Sequence, residues 1–248
     1  AVVYPGTDLK LDGTENSFEY QNALYSQLLG EEANLYTKLD YQRGTEAKKA
    51  TYQLNLPAGN YAVYGNILSE YDMNAVLHFE NGTFQKYSQW LSPSVFYIPT
   101  EPNQPSVTVV LDAANELSVT EEQFYALDLD RLKAVTDAIK DRDNGEFSFF
   151  GEHAVCRVSA QEGDLLYIAV PYHQGWTITK NGKEIDPDLF GECMLSIPLD
   201  DGENVVELKY KVPMLKTGIT VSAITLVGLV GYGCLSKRIR KKKITLEE

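Results

Sequence analysis

The chain has 248 residues, with 35 acidic and 22 basic side chains and a formal net charge of −13 at pH 7. Six of the basic and two of the acidic side chains lie in the last twelve residues, so residues 1–236 carry a net charge of −17. Such an acidic body excludes nucleic acid as a partner, since phosphates require a basic surface, and disfavours electrostatic docking onto anionic lipid head groups. The three cysteines are too few for a disulfide framework. Cys156 and Cys193 are either ordinary buried thiols or a pair joined across a sheet.

The N-terminal part of the chain predicts one helix. We expect an irregular lead-in as far as Asp12, and then a helix that Asn16 caps, with Glu19 three places on. Leucines at helical spacing follow, and Gly30 supplies the end of the helix. Residues 31–50 are polar and mixed, and their pattern indicates little about structure.

Short strands fill the rest of the first half. From residue 51 the apolar period changes to two, and the turn at residues 57–60 is predicted to lead into a return strand that begins at Tyr61. Asn81-Gly82 between two alternating segments is the strongest short hairpin signal. Residues 94–98 and 107–111 add further strands, and this spacing of strands and turns is typical of a β-sandwich.

The second half repeats this pattern after a short helix. Residues 124–129 predict a strand, and Asp130 is expected to cap a helix with Leu132, Val135 and Ile139 on one face. The strand candidates that follow include a hairpin around Asn181-Gly182 and a last strand over residues 205–212.

The last strand runs almost directly into an uncharged segment, residues 217–235. Nineteen helical residues at about 1.5 Å each are just enough to cross a hydrocarbon core of about 30 Å. A basic cluster follows at once and is expected to stay on the cytoplasmic side, which places residues 1 to about 215 outside the cytoplasm. We therefore expect either a removed signal peptide or further membrane helices ahead of Ala1. The basic side chains are Lys237, Arg238, Arg240, Lys241, Lys242 and Lys243.

These observations predict a mainly β protein, an antiparallel β-sandwich of one or two subdomains with a few short helices and one C-terminal transmembrane helix. The expected segments are a β-rich region with an N-terminal helix over residues 1–120 and a second sandwich region over residues 121–215. A transmembrane helix over residues 216–236 and a basic cytoplasmic tail over residues 237–248 complete them. Small residues recur every three or four positions along that helix, which favours contact with other transmembrane helices as well as with lipid. They are Gly218, Ser222, Thr225, Gly228 and Gly231.

Several short motifs, taken in their order along the chain, resemble the C-terminal end of the YfhO-like bacterial membrane proteins. Residues 170–176, Val-Pro-Tyr-His-Gln-Gly-Trp, match a "PY-x-x-G-W" strand, and Asn181-Gly182-Lys183 matches a "DGK" hairpin with Asn in place of Asp. The exit into the last helix has Val212-Pro213-Met214 where the family has a double proline. Residues 16–22, Asn-Ser-Phe-Glu-Tyr-Gln-Asn, resemble the family segment "N-P-F-E-x-Q-N", with Ser17 replacing Pro. The resemblance thus covers nearly the whole chain.

The resemblance implies a many-helix glycosyltransferase of the GT-C type. Such enzymes transfer a sugar from a polyprenyl-phosphate carrier to a cell-envelope polymer, here teichoic or lipoteichoic acid. The family's catalytic acidic residues lie in a loop near the N-terminus of the full protein, and no segment of this chain corresponds to it. The chain is therefore expected to be an accessory outer domain with the final helix, to shape the acceptor groove, and to hold neither the catalytic residues nor a cofactor.

Aromatic side chains supply the first candidate site. Trp90, Tyr172 and Trp176 are the predicted contacts to glycan or acceptor, because indole and phenol rings stack on sugar faces. The alternative for Trp176 is that it fills the sandwich core. A second candidate group rests on the family match alone, with Glu19 as a possible helix cap instead. Its members are Glu19, Gln21 and Asn22.

Other chemistry finds little support in the sequence. The three histidines are scattered and no Cys or His stands at ligand spacing, so we expect no metal site. Acidic pairs suit glycoside hydrolysis in principle, but here they fall at predicted turns and caps. Two alternatives to the glycosyltransferase remain: a single-pass anchored surface module that binds envelope glycans or proteins, and an anchored hydrolase that uses the acidic pairs. The acidic residues concerned are Asp128, Asp130, Asp186, Asp188, Asp200 and Asp201.

Overall fold

The computed structural model describes residues 1–6, 16–89, 94–142 and 144–244, with side chains described through Gly233. It is mainly β, with four antiparallel sheets and three helices. The sheets face each other in pairs, and each pair encloses its own core. The predicted fold class, an antiparallel sandwich followed by one apolar C-terminal helix, is confirmed.

The first sandwich is built from residues 36–128. Its core combines side chains from both of its sheets, among them Tyr52, Leu77 and Phe124, which are fully buried. One sheet has the order β2 (Tyr36–Lys38), β10 (Val119–Asp128), β5 (Tyr61–Ser69), β8 (Val95–Ile98). The other has the order β3 (Tyr41–Thr45), β4 (Lys49–Asn55), β9 (Ser106–Ala113), β6 (Met73–Phe79), β7 (Phe84–Gln89).

The second sandwich closes the other core around Cys156, Leu166, Leu195 and Val206. One of its sheets has the order β1 (Val2–Pro5), β13 (Asp164–Pro171), β17 (Met194–Pro198), β16 (Asp188–Phe190). The other has the order β11 (Glu146–Phe150), β12 (His153–Ala160), β18 (Gly202–Tyr210), β14 (Trp176–Lys180), β15 (Lys183–Ile185). Cys156 is buried and Cys193 is exposed, and no disulfide joins these two thiols.

Two short helices pack beside the first sandwich and share a third apolar cluster with β10 and the segment before β2. Helix α1 (Ser17–Leu29) begins as predicted, with Asn16 Oδ1 accepting the backbone N–H groups of Phe18 and Glu19, and it ends at Gly30 in the left-handed conformation. Helix α2 (Leu129–Lys140) follows β10 directly, and Arg142 just beyond it donates to the last carbonyls of α1. The side chain thereby satisfies backbone acceptors that a helix end leaves open.

Three expectations about the chain order are wrong, and one region that gave no prediction contains strands. The segment before Asp12 is not wholly irregular, because Val2–Pro5 forms β1 and pairs with β13 of the second sandwich. The strand that begins at Tyr61 does not return beside β4 but crosses to the facing sheet and pairs with β10 and β8. The polar region 31–50, whose pattern indicated little, contains β2 and β3. The N-cap of α2 is Asp128, whose carboxylate accepts the Arg131 N–H, and Asp130 lies in the first turn.

Four residues separate the end of β18 in the second sandwich from the start of helix α3 (Leu215–Ile244). Within the part of the chain that the structure describes, its Leu215–Gly233 segment is the one helix long and apolar enough to cross a membrane. None of this segment is buried against the body, and Val221 and Leu226 are 57% and 63% exposed. An exposed apolar surface of this length is stable in lipid rather than in water.

Candidate functional site

The second sandwich has one edge at which the chain leaves for α3, and we call it the exit edge. It is formed by the end of β11 at Phe150, the start of β12 at His153, the start of β14 at Trp176 and the end of β18 at Tyr210. The antiparallel register fixes this arrangement, since Ala154 pairs with Leu208 and Trp176 pairs with Tyr210. Aromatic side chains from three strands therefore meet at the edge nearest the apolar helix.

Trp176 and Tyr210 are the centre of the exit edge. Their ring centroids lie 4.8 Å apart with the planes tilted by 58°, and the indole Nε1–H donates to the Pro171 carbonyl at 3.2 Å. Both side chains are half-buried, and Trp176 also packs against the core of the second sandwich. Trp176 thus packs at the end of the core, as one of its two alternatives predicted, and its accessible part leaves the predicted glycan contact as a prediction.

The turn between β13 and β14 holds this pair in place. Gly175 N–H donates to His173 Nδ1 at 3.1 Å, and the Tyr210 hydroxyl lies 3.1 Å from the same nitrogen. A Cβ on Gly175 would lie 2.5 Å from the Lys211 carbonyl oxygen and 2.7 Å from the Tyr210 ring. The glycine of the "G-W" motif is therefore required by close packing. Tyr172 on the same turn is 49% exposed, and its backbone N–H donates to the Cys193 carbonyl at 2.7 Å.

A shallow groove of about 280 Å³ opens beside Trp176 and Tyr210. It combines aromatic faces with a carboxylate and with His153, whose Nε2 lies 3.2 Å from Glu207 Oε2. Such a surface suits stacking on an apolar face with polar groups at the rim. Its lining residues are Phe149, Gly151, Glu152, His153, Ala154, Trp176 and Tyr210.

Of the predicted contact residues that the structure describes, Tyr172 and Trp176 lie on or beside this turn, and the three predicted on α1 lie elsewhere. Trp90 lies outside the described residues. Glu19, Gln21 and Asn22 lie on α1, beside β2 and β10 of the first sandwich. The prediction that these residues contact glycan stays a prediction.

On α1 the polar side chains make contacts within the fold. Asn22 Oδ1 accepts the backbone N–H groups of Leu35 and Tyr36 at 2.9 and 2.8 Å, and its Nδ2 donates to the Tyr36 carbonyl at 2.9 Å. Glu19 Oε1 accepts the Tyr125 hydroxyl at 2.8 Å, and Gln21 Oε1 accepts the Tyr36 hydroxyl at 3.0 Å. Burial, assisted by the Glu19 carboxylate, raises the pKa of Tyr125 to about 12. This segment therefore fastens α1 to the first sandwich.

The acidic residues singled out in the sequence serve local structure where contacts are seen. Asp128 caps α2, and Asp200 Oδ1 accepts the Lys180 ammonium at 2.7 Å. That hydrogen bond lowers the pKa of Asp200 below its ordinary value. Among the described residues, no group of three or more His, Cys, Asp or Glu side chains is placed to hold a metal ion.

Sequence reasoning missed Phe149, Phe150 and Tyr210 as members of the exit edge. Phe149 and Phe150 are 66% and 68% exposed at the tip of the β11–β12 hairpin. The available signal was two adjacent phenylalanines directly before Gly151, because a large apolar pair at a turn has no core to enter. Tyr210 was recognised only as one of the alternating apolar positions of the last strand, and its role depends on the pairing with β14.

Comparisons with known proteins identify the family, and two similar solved structures are too distant to support an argument. The family model described as "Bacterial membrane protein YfhO" matches residues 8–222. No curated protein matches the chain. A solved structure of Bacillus subtilis oxalate decarboxylase is similar at 10% identity over 72% of this chain and 77% of its own, with a TM-score of 0.16. A second oxalate decarboxylase structure is similar at 9% identity with the same coverage and score. Scores this low carry no argument, whereas the family model covers most of the two sandwiches and the start of α3: the chain belongs to the YfhO family of bacterial membrane proteins.

Proposed function

We propose that this chain is the extracytoplasmic accessory domain and final membrane helix of a glycosyltransferase that uses a polyprenyl-phosphate sugar. In this proposal the enzyme decorates cell-envelope polymers such as teichoic or lipoteichoic acid, and the exit edge shapes the groove for the acceptor. The observation that carries the proposal is the half-buried Trp176–Tyr210 pair, held four residues from the start of an apolar helix in a member of this family. A lipid-linked sugar and its polymer acceptor meet at the membrane surface, where that edge lies.

The proposed orientation rests on charge. The basic cluster after residue 236 favours the cytoplasmic side, which puts the body on the other side of the membrane. The body, residues 1 to about 215, then faces the envelope polymers, and the small-residue stripe on α3 packs against other helices of the parent protein. The division of the body into a β-rich region over residues 1–120 and a second sandwich region over residues 121–215 remains a proposal. In the structure, β10 spans that boundary and completes the first sandwich.

The test uses the full-length gene in its host. The sugar content of purified lipoteichoic and wall teichoic acid is measured in a deletion strain complemented with the wild type, with Tyr172→Ala/Trp176→Ala, or with Phe84→Ala. Phe84 is a matched control because it is 68% exposed and lies on the first sandwich. We expect the double variant to lower the sugar content at equal membrane abundance, and the control to leave it unchanged. Unaltered envelope glycosylation in the deletion strain would reject the proposal.

A second candidate is a surface module that binds envelope glycans without taking part in catalysis. The exposure of Tyr172 beside half-buried Trp176 favours it, because the edge offers stacking faces with no reacting group needed. The purified chain in micelles would then bind teichoic acid polymers, and binding would weaken in the same double variant. Polymer binding together with unchanged glycosylation in the deletion strain would select this function over the first.

A further inference from the structure

Two phenylalanines at the tip of the β11–β12 hairpin are exposed in a way that the fold does not require. Phe149 and Phe150 are 66% and 68% exposed, whereas Phe147 two residues earlier packs against the core of the second sandwich. Phe149 touches Phe147 with ring centroids 4.7 Å apart and extends that row beyond the core. Placing two adjacent large aromatic rings in water is unfavourable, so the tip is suited to an apolar environment.

The tip lies beside the first turn of α3. The Tyr210 N–H donates to the Glu152 carbonyl at 3.0 Å, which fixes the hairpin turn next to the end of β18. Glu152 also lines a groove of about 670 Å³ together with Leu215, Lys216 and Thr217 of α3. One residue therefore connects the aromatic tip with the beginning of the apolar helix.

The link between body and helix is too short to hold them apart. Lys211 is still attached to the sandwich, since its N–H donates to the Gly175 carbonyl at 2.9 Å, and α3 begins at Leu215. Four residues reach at most about 14 Å when fully extended. Val212 and Met214 within this link are themselves 55% and 73% exposed. The head-group layer on each side of a bilayer is about 5–8 Å thick, so the exit edge lies at the membrane surface when α3 spans the bilayer.

We propose that the tip of the β11–β12 hairpin inserts Phe149 and Phe150 into the interfacial layer of the same leaflet that α3 enters. The occupant of this apolar surface is lipid, because the surface is continuous with a helix that itself requires lipid. Phenylalanine, like tryptophan and leucine, is buried at the boundary between head groups and acyl chains where amphipathic elements lie on a membrane. The net negative charge of the body does not oppose this contact, because the contact is made by apolar rings. The positive charges of exposed Lys211 and Lys216, which line the same groove as Glu152, balance the negative charge of that carboxylate.

The consequence is a second attachment point for the body. A domain held by one helix and a short link is free to tilt, whereas a helix and a hairpin tip together fix its orientation. Tyr210 lines both the groove beside Phe149 and the groove beside Leu215, and Trp176 contacts Tyr210. The insertion therefore holds the exit edge against the membrane surface, and this inference does not depend on the proposed enzymatic role.

Depth-dependent quenching tests the proposal on the full chain in lipid nanodiscs. Cys193 and Cys234 are replaced by Ser, buried Cys156 is retained, and Phe149→Cys, Phe150→Cys or Phe84→Cys carries an environment-sensitive fluorophore. Phe84 is the matched control, 68% exposed near the turn of the β6–β7 hairpin in the first sandwich. Nitroxide-labelled phosphatidylcholine is then added to the discs at a fixed fraction.

Labels at 149 and 150 are expected to lose about half of their emission and to shift it to the blue, as groups at the lipid interface do, while the label at 84 keeps its emission. Quenching at 149 and 150 no greater than at 84 would overturn the proposal. Because these three side chains are exposed, their replacement leaves both cores intact, and near-ultraviolet circular dichroism of each variant checks this. The parental protein, which keeps Cys156 and lacks Cys193 and Cys234, is treated with the same fluorophore. The absence of label on it confirms that Cys156 does not react.

Discussion

The rings of Trp176 and Tyr210 lie 4.8 Å apart on register partners of neighbouring strands β14 and β18, directly before the chain enters α3. The pair covers the end of the second core, and its outer surface stays open to a small groove. A single contact thus contributes both to the stability of the sandwich and to the surface proposed for binding. Substitutions at Trp176 must separate these two contributions.

Trp176→Ala is expected to lower the free energy of unfolding by about 2 kcal/mol, because half-burial and one aromatic contact are lost. Trp176→Phe retains a ring against Tyr210 and should cost less than about 1 kcal/mol. Denaturant unfolding of the full chain in micelles, followed by near-ultraviolet circular dichroism, measures both. If polymer binding falls in Trp176→Phe while its stability is retained, the indole acts at the surface; equal stability of the Ala variant and the wild type would contradict the packing role.

Gly175→Ala is expected to destabilise the chain by about 1–3 kcal/mol, because an added methyl group has no space between Lys211 and Tyr210. Gly44→Ala is the matched control, since nothing lies within 4 Å of a Cβ built on that strand residue. Unfolding midpoints of the two variants in micelles provide the comparison. If the Gly175→Ala protein were as stable as the Gly44→Ala protein, the turn would be able to rearrange around the added methyl group with no loss of stability.

Asn22→Ala is expected to cost about 2–3 kcal/mol, because it removes the acceptor of two backbone N–H groups, one of them on fully buried Leu35. Gln21→Ala at the neighbouring exposed position loses only the Tyr36 hydroxyl contact and should change stability by less than about 0.5 kcal/mol. Thermal unfolding of both variants measures the difference. Equal losses of stability in the two variants would mean that Asn22 does not hold the segment before β2. Its predicted role as a glycan contact would then be favoured again.

Local signals explain which parts of this fold were predictable. The N-cap at Asn16, the left-handed end of α1 at Gly30 and the turn at Asn181-Gly182 each depend on a few consecutive residues, and each is present in the structure. The uncharged segment of α3 is equally local. These features follow from capping, turn geometry and hydropathy, which need no knowledge of distant contacts.

Pairing between distant segments explains what was missed. The four residues of β1 form a strand only because β13 lies beside them, about 160 positions further along the chain. The crossing of β5 to the facing sheet depends on its partner β10 and not on the turn before it. The exit edge was missed for the same reason, since Phe149, Trp176 and Tyr210 meet only through the register of β12, β18 and β14. Motif reasoning placed Tyr172 and Trp176 together because one turn contains both.

Native cysteines test the proposed orientation. In intact cells a membrane-impermeant maleimide is expected to label exposed Cys193, and to leave buried Cys156 unlabelled until the protein is denatured. Cys193→Ser is the control and should abolish the labelling. Mass spectrometry of the modified peptide provides the measurement. Modification of Cys193 only after the cells are permeabilised would place the sandwiches in the cytoplasm and reverse the proposed topology.

Alkaline pH is expected to destabilise the chain partly through Tyr125. Tyr125 as a residue is 2% exposed, and burial raises the pKa of its phenol to about 12, whereas an unfolded tyrosine titrates near pH 10. Below about pH 10 both states hold the proton and the contribution of Tyr125 is constant. Between about pH 10 and 12 the unfolded state releases its proton and the folded state keeps it, so the free energy of unfolding falls as the pH rises. Burial raises the pKa of Tyr52 as well. The decline of the free energy of unfolding with pH therefore has contributions from more than one phenol, and Tyr125 accounts for only part of it.

Tyr125→Phe isolates that part. The variant loses the hydrogen bonds to Asn16 and Glu19 and so starts from a lower stability at neutral pH, but it has no proton to release at position 125. Its free energy of unfolding should therefore decline less steeply than that of the wild type between about pH 10 and 12. Denaturant titrations at several pH values, with tyrosinate absorbance recorded in parallel, give both slopes. Parallel declines would mean that the Tyr125 phenol titrates alike in the folded and unfolded chains, and that the contact between α1 and β10 does not shield it from solvent.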